Sequence, residues 1–164
     1  MQFAYIHRND GELHHGRVYR VNLHRNGVSM LKRIKGRIIA KGIGEGPAVV
    51  TRQPLSFLGG VDPTQGVIID PHHELRGTSI AGAVLAFPQG KGSTVGSYVL
   101  YQLKRNDKAP AAIINAVCET IVAVGAIISN IPLIDKLELD PIATIKPGSH
   151  VLVNCVDGFV EVEQ

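Results

Sequence analysis

Gly82-Ala83-Val84-Leu85-Ala86-Phe87-Pro88-Gln89-Gly90-Lys91-Gly92-Ser93-Thr94-Val95-Gly96-Ser97-Tyr98 decides how the rest of the chain is read. The apolar run ending at Phe87 reads as a buried strand, and Pro88 stops it. Beyond the glycines, Val95, Val99, Leu100 and Leu103 recur at helical spacing, which predicts a helix from Ser93 to Lys104. The order is strand, glycine loop, helix N-terminus. The unpaired N–H groups of a first helical turn and the macrodipole both favour negative charge, and Gly90 and Gly92 let a ligand approach the backbone. Ser93 or Thr94 stands where a cap belongs, and each carries a hydroxyl that can face outward from the same place. On capping chemistry alone, Ser93 is an N-cap and nothing more.

The loop is not a Walker A loop, because Gly92 separates Lys91 from Ser93, so ATP hydrolysis is not expected. Nor do Gly90, Gly92 and Gly96 fall at the offsets of the dinucleotide fingerprint.

At 164 residues, 45% apolar and 19% charged, the chain has the composition of one globular domain with a real core. The net charge of +3 is uneven: residues 1–29 carry four Arg against Asp10 and Glu12, and the remaining 135 residues hold 13 basic and 12 acidic groups. With only four Tyr and four Phe there is no stacking platform, so nucleic acid is not expected as a partner. No run approaches the roughly 20 apolar residues that span a bilayer, and the N-terminus has no signal-peptide core, which points to a cytoplasmic protein without a membrane partner. Cys118 and Cys155 lie far apart in apolar surroundings and read as buried free thiols. Two thiols cannot hold a four-iron cluster, and no metal site is expected in this chain.

In residues 1–29, Phe3–Ile6 and Arg17–Leu23 alternate on either side of Asn9-Asp10-Gly11, which permits a hairpin. Equally, these residues can be an extension or leader ahead of an internal start at Met30, since strong core patterning begins at Ile34. His14 and His15 lack further ligands at metal-binding spacing and read as solvent-facing. Strands are expected at Ile34–Lys41 and Pro47–Thr51, broken by Gly42–Gly46, with a turn-rich loop at Gly59-Gly60-Val61-Asp62-Pro63. His72-His73-Glu74-Leu75-Arg76 can bind an anion or shuttle a proton, or be a solvated loop. Further strands are expected at Ala109–Asn115 and Ile131–Ile134. Glu119–Ser129 reads as a helix apolar nearly all round and therefore sandwiched, and Leu137–Ile145 as a short, weak one. His150–Cys155 and Gly158–Val162 form a closing hairpin. Early and late strands pairing around a central αβ unit give a mixed, barrel-like α+β domain.

At Gly59-Gly60-Val61-Asp62, Gly90–Tyr98, Ala109–Asn115 and Gly125-Ala126, the chain resembles the small subunit of the aconitase X family, over about Leu31 to Glu163. The resemblance implies a swivelling β/β/α barrel over residues 30–164 that closes on a large subunit of aconitase X type. It also implies dehydration of a small hydroxy acid, in archaea (R)-5-phosphomevalonate to trans-anhydromevalonate 5-phosphate in a mevalonate pathway. An iron–sulfur cluster (4Fe-4S) would be carried by the large subunit. The family's serine maps onto Ser93, the expected general base. Gly59, Gly60, Asp62, Gly90, Lys91, Gly92 and Thr94, in the matched loops, are the candidate substrate-binding residues. Two other readings stay open: a subunit of a cis-3-hydroxy-L-proline dehydratase, and a non-catalytic module holding a phosphorylated ligand.

Overall fold

A computed structural model describes residues 3–7, 18–24 and 27–163, with side chains from Met30 to Glu163. The expected turn at Asn9–Gly11 and the pair His14-His15 lie outside the described residues. The elements in order are β1 (Phe3–His7), β2 (Val18–His24), β3 (Gly27–Lys35), β4 (Arg37–Ala40), β5 (Ile43–Val50), β6 (Leu55–Ser56), β7 (Val61–Asp62), β8 (Val67–Ile68), β9 (Val84–Phe87), β10 (Gly90–Lys91), α1 (Gly96–Arg105), β11 (Ala112–Asn115), α2 (Thr120–Ser129), β12 (Leu133–Asp135), α3 (Pro141–Thr144), β13 (His150–Asn154) and β14 (Phe159–Glu163).

The main sheet runs β1-β2-β3-β14-β13-β5-β9-β11-β12-β4. Its centre, β5-β9-β11-β12, is parallel: α1 and α2 cross over from β9 to β11 and from β11 to β12, and the segment carrying β6–β8 crosses from β5 to β9; β4, β13, β14 and β3 are antiparallel to their neighbours. Only Gly36 separates β3 from β4, yet the two pair at opposite ends of this order, with β14 and with β12. The strands between them must therefore curl round towards closure, and the fold is a mixed α+β barrel with helices on its outside.

Period-two alternation divides the interior in two. Val84, Ala86, Ala112, Ile114 and Ile134 point into the barrel and meet Val151, Val153, Val160 and Val162. Their neighbours Leu85, Phe87, Ile113 and Leu133 point out and meet Val99, Leu100 and Leu103 of α1 and Val122 and Ala126 of α2. Leu55, Phe57, Val61, Ile68 and Ile80, from the segment between β5 and β9, complete this outer layer.

Several boundaries differ from expectation. Gly42–Gly46 does not break the second strand: β5 starts at Ile43, because Gly44 and Gly46 let it run against the Ala111 and Gly82 carbonyls, where a Cβ would collide. The expected strand Ile34–Lys41 breaks at Gly36, whose N–H donates to the Gly158 carbonyl at 3.0 Å. The 137–145 helix shrinks to α3, capped by Asp140, whose carboxylate accepts from the Ile142 N–H. The apolar helix is not sandwiched: α2 buries Val122, Gly125, Ala126 and Ser129 and leaves Val124, Ile127 and Ile128 exposed. Among the described residues no helix is long and apolar enough to cross a membrane.

Candidate active site

The four parallel strands end on one side of the sheet, so the loops after Val50, Phe87, Asn115 and Asp135 gather there, the usual place for a site in an α/β layer. The glycine loop is held at its root from both sides. Asn115 Nδ2 donates to the Phe87 carbonyl at 3.0 Å, and the N–H groups of Ala116 and Val117 donate to the Pro88 carbonyl at 3.0 and 3.2 Å. On the other flank β10 pairs in parallel with β6, setting Gly90 opposite Leu55 and Lys91 opposite Ser56. Gly90 is buried against the Glu119 carboxylate and Val122, where a Cβ would not fit. Gly92 has φ +93°, a left-handed conformation that favours glycine, and a Cβ there would lie 2.7 Å from Ser56 Oγ.

Beyond this root the chain turns outward, and Lys91, Gly92, Ser93 and Thr94 are exposed. Ser93 is not the cap of α1, which begins three residues later than expected. Val95 occupies the N-cap position with no side-chain cap. The N–H groups of Gly96, Ser97 and Tyr98 donate to the carbonyls of Ser93, Thr94 and Val95 at 2.9, 3.3 and 3.0 Å, a tight turn that consumes the donors expected to be free. The N–H groups of Gly92, Ser93 and Thr94 are instead without a partner among the described residues. Ser93 Oγ accepts from the Val95 N–H at 3.2 Å, so the hydroxyl oxygen sits in the field of a backbone donor with Lys91 two residues away.

The other predicted residues divide. Gly59 and Gly60 follow Leu58, whose N lies 3.7 Å from the Cβ position of Gly96, so that turn abuts the start of α1. Asp62 follows after Val61, at the end of β7. Its Oδ1 accepts from the Thr64 and Gln65 N–H groups at 2.8 and 3.2 Å, and the adjacent Pro63 carbonyl is tied to Asn106 at the far end of α1.

The His72–Arg76 segment is part solvated and part packed. His72 is exposed. His73 is buried, its Nδ1 accepts from the Leu75 N–H at 3.1 Å, and its Nε2 has no partner among the described residues. Glu74 accepts from the Thr51 hydroxyl and, at 3.0 Å, from the Arg52 N–H, and these bonds hold its carboxyl below the usual range. It clamps the segment leaving β5.

Sequence reasoning missed Ser56, Asn115 and Glu119. Glu119 caps α2 by accepting from the Ile121 and Val122 N–H groups at 2.7 and 2.9 Å, and its signal was a lone charge at the head of an apolar run. Nearby, buried Asp135 accepts from Arg37 at 2.9 and 2.8 Å and from the Cys118 N–H at 2.7 Å, which fixes the loop leading to Glu119. Burial raises its pKa, but the bonds from Arg37 and Cys118 outweigh that and leave the carboxyl below its ordinary range.

The family model described as "Aconitase X swivel domain" matches residues 33–162. The chain belongs to the aconitase X swivel-domain family. The Methanosarcina mazei protein named "Phosphomevalonate dehydratase small subunit" is 58% identical over 130 residues, covering 79% of this chain and 90% of that protein. The Thermococcus onnurineus protein of the same name is 54% identical, covering 80% of this chain and 99% of that protein. Among solved structures, holo-form Thermococcus kodakaraensis aconitase X superposes with a TM-score of 0.76 at 53% identity, covering 80% of this chain and 98% of that one.

As an aconitase X swivel domain, the chain has two thiols to test as cluster ligands. Cys155 is packed inside the barrel, and Cys118 lies against the outer core with its Sγ donating to the Glu119 carbonyl at 3.3 Å. Burial pushes both thiols up to about 12, so neither is a ready thiolate. They do not fit a cluster. Among the described residues no three His, Cys, Asp or Glu groups converge as metal ligands.

Proposed function

We propose that this chain is the small subunit of a two-subunit hydro-lyase that converts (R)-5-phosphomevalonate to trans-anhydromevalonate 5-phosphate, active only with its large subunit, in the cytoplasm. The observation that carries the reading is the exposed loop Lys91–Thr94, with its free N–H groups, cation and Ser93 hydroxyl, in a chain 58% identical to a protein named for this activity. Dehydration removes a carbon-bound proton beside the carboxylate and expels the neighbouring hydroxyl as a double bond forms. The iron–sulfur cluster of the family reading is assigned to the large subunit, since the thiols here do not fit one.

This chain's share is the proton and the anion. Ser93 Oγ acts as the general base, which a hydroxyl does only as alkoxide; the Val95 N–H and Lys91 lower the cost of that charge. The free N–H groups of Gly92, Ser93 and Thr94 with Lys91 are suited to an anionic end of the substrate. Closure against the partner excludes water and strengthens each of these interactions. Gly59 and Gly60 shape the wall beside the loop. Asp62, whose Oδ1 orders the turn that follows through the Thr64 and Gln65 N–H groups, is kept with them as a candidate for substrate binding.

The test is co-purification with the large subunit, followed by a dehydration assay on (R)-5-phosphomevalonate and on cis-3-hydroxy-L-proline. Turnover of phosphomevalonate by the complex alone is expected. Turnover only of hydroxyproline would reassign the substrate, and ligand binding without turnover would leave a binding module. Iron–sulfur absorbance in the isolated chain would overturn the assignment of the cluster.

A further inference from the structure

α2 reads Thr-Ile-Val-Ala-Val-Gly-Ala-Ile-Ile-Ser and carries no charge, yet half of it faces away from the sheet. A helix bounded by solvent ordinarily carries polar residues on its outer face. Here that face shows Val124, Ile127 and Ile128, with Ile127 55% exposed. α1 packs beside α2 on the same side of the sheet, and its outer face continues the surface with Val95, Tyr98 and Tyr101, Tyr98 being 64% exposed. These six side chains expose on the order of 550 Å², at the upper end of what a monomer leaves in one patch. That is about two-thirds of the ~800 Å² each partner gives to a standard interface. The surface does not stop at the helices. Val95 stands at the head of α1 directly after Ser93 and Thr94, while Val117, in the loop tied to the Pro88 carbonyl, and Leu58, beside the start of α1, are also exposed.

We infer that the outer face of α1 and α2, centred on Tyr98, Val124 and Ile127, docks the large subunit. The inference rests on the two-subunit reading above and adds the surface through which it is realised. The patch is apolar at its centre, as interface cores are, and runs into the loop that must face the other half of the cleft. A partner seated there covers the uncharged helix and brings its own site residues against Ser93 with one surface. A second copy of this chain would bury the same area and turn the Ser93 loop towards another Ser93 loop, leaving the cleft without its other half.

The experiment co-expresses the full chain with the large subunit and measures assembly of wild type, Tyr98→Glu, Val124→Glu and Ile127→Glu. The control is Val156→Glu, in the β13–β14 turn, outside both helices and also exposed. Each small subunit is melted alone to establish folding, with Tyr98→Ala and Ile127→Ala replacing any glutamate variant that fails to fold. Affinity for the large subunit is expected to fall on the order of thirtyfold or more in the patch variants and to be unchanged in the control. Normal assembly of folded patch variants would overturn the docking face and leave the dehydratase reading intact. Failure of wild type to bind any large subunit would overturn both. A homodimer of this chain that buries the patch and persists with the large subunit present would assign the face to a second copy and overturn the inference.

Discussion

The general-base role proposed for Ser93 is separable from a structural one. Its oxygen accepts from Val95 N but does not cap α1, so losing it should cost less than the ~1 kcal/mol of a cap. Ser93→Ala is therefore expected to leave melting nearly unchanged and the complex assembled, while turnover falls on the order of a hundredfold or more. Near-normal turnover in that complex would remove Ser93 as the base. Asp135 gives a pH signature. Its folded pKa is depressed, so the stability it contributes is present above the unfolded value of about 3.9 and is lost as pH falls through the folded value. Urea unfolding of Asp135→Asn against wild type should show a deficit at pH 7 that closes in acid; a deficit constant down to pH 2 would mean that the charge is irrelevant. At this scale the sequence was readable where a loop is marked by its own residues, as in the glycine loop that exposes Lys91 and Ser93. It was not where partners are distant: nothing near Asp135 foretells Arg37, and nothing near Gly90 foretells Glu119.

Elements were legible in kind and misplaced at their ends. The expected helix began at Ser93 because hydroxyl residues after glycines look like caps. The chain instead spends Ser93 and Thr94 on a tight turn whose carbonyls take the first N–H groups. Gly42–Gly46 looked like a break because glycine disfavours strands, yet contacts from Ala111 and Gly82 demand it there. α2 was found from its apolar run, but apolarity all round could not reveal that one side stays exposed among the described residues. Its cap is testable. Glu119→Ala should destabilise the isolated chain by about 1 kcal/mol in urea melts, since both carboxylate oxygens hold first-turn N–H groups. It should also raise amide exchange at Ile121 and Val122; unchanged exchange there would show that the cap is dispensable.

For the whole molecule, the alternation of early and late strands was enough to expect a mixed barrel, and the closure at Gly36 bears that out. The role of residues 1–29 belongs to a proposal. β3 meets β14 through Leu31–Lys35, and the family match begins at residue 33, so a chain starting at Met30 keeps every one of those pairs. Such a chain is expected to fold and to bind the large subunit as the full chain does. Loss of folding or assembly on truncation would make the first strands part of the working domain.

The division of β9, β11 and β12 between two interiors has a mechanical consequence. Each of these strands presents one residue to the barrel and the next to the helices, so the two layers share a single wall and cannot slide past each other without tearing it. The chain has no internal hinge at that wall. On the proposed two-subunit reading, opening and shutting the cleft is then a displacement of one rigid body against another, with the exposed loop from Lys91 to Thr94 at the edge that meets the partner.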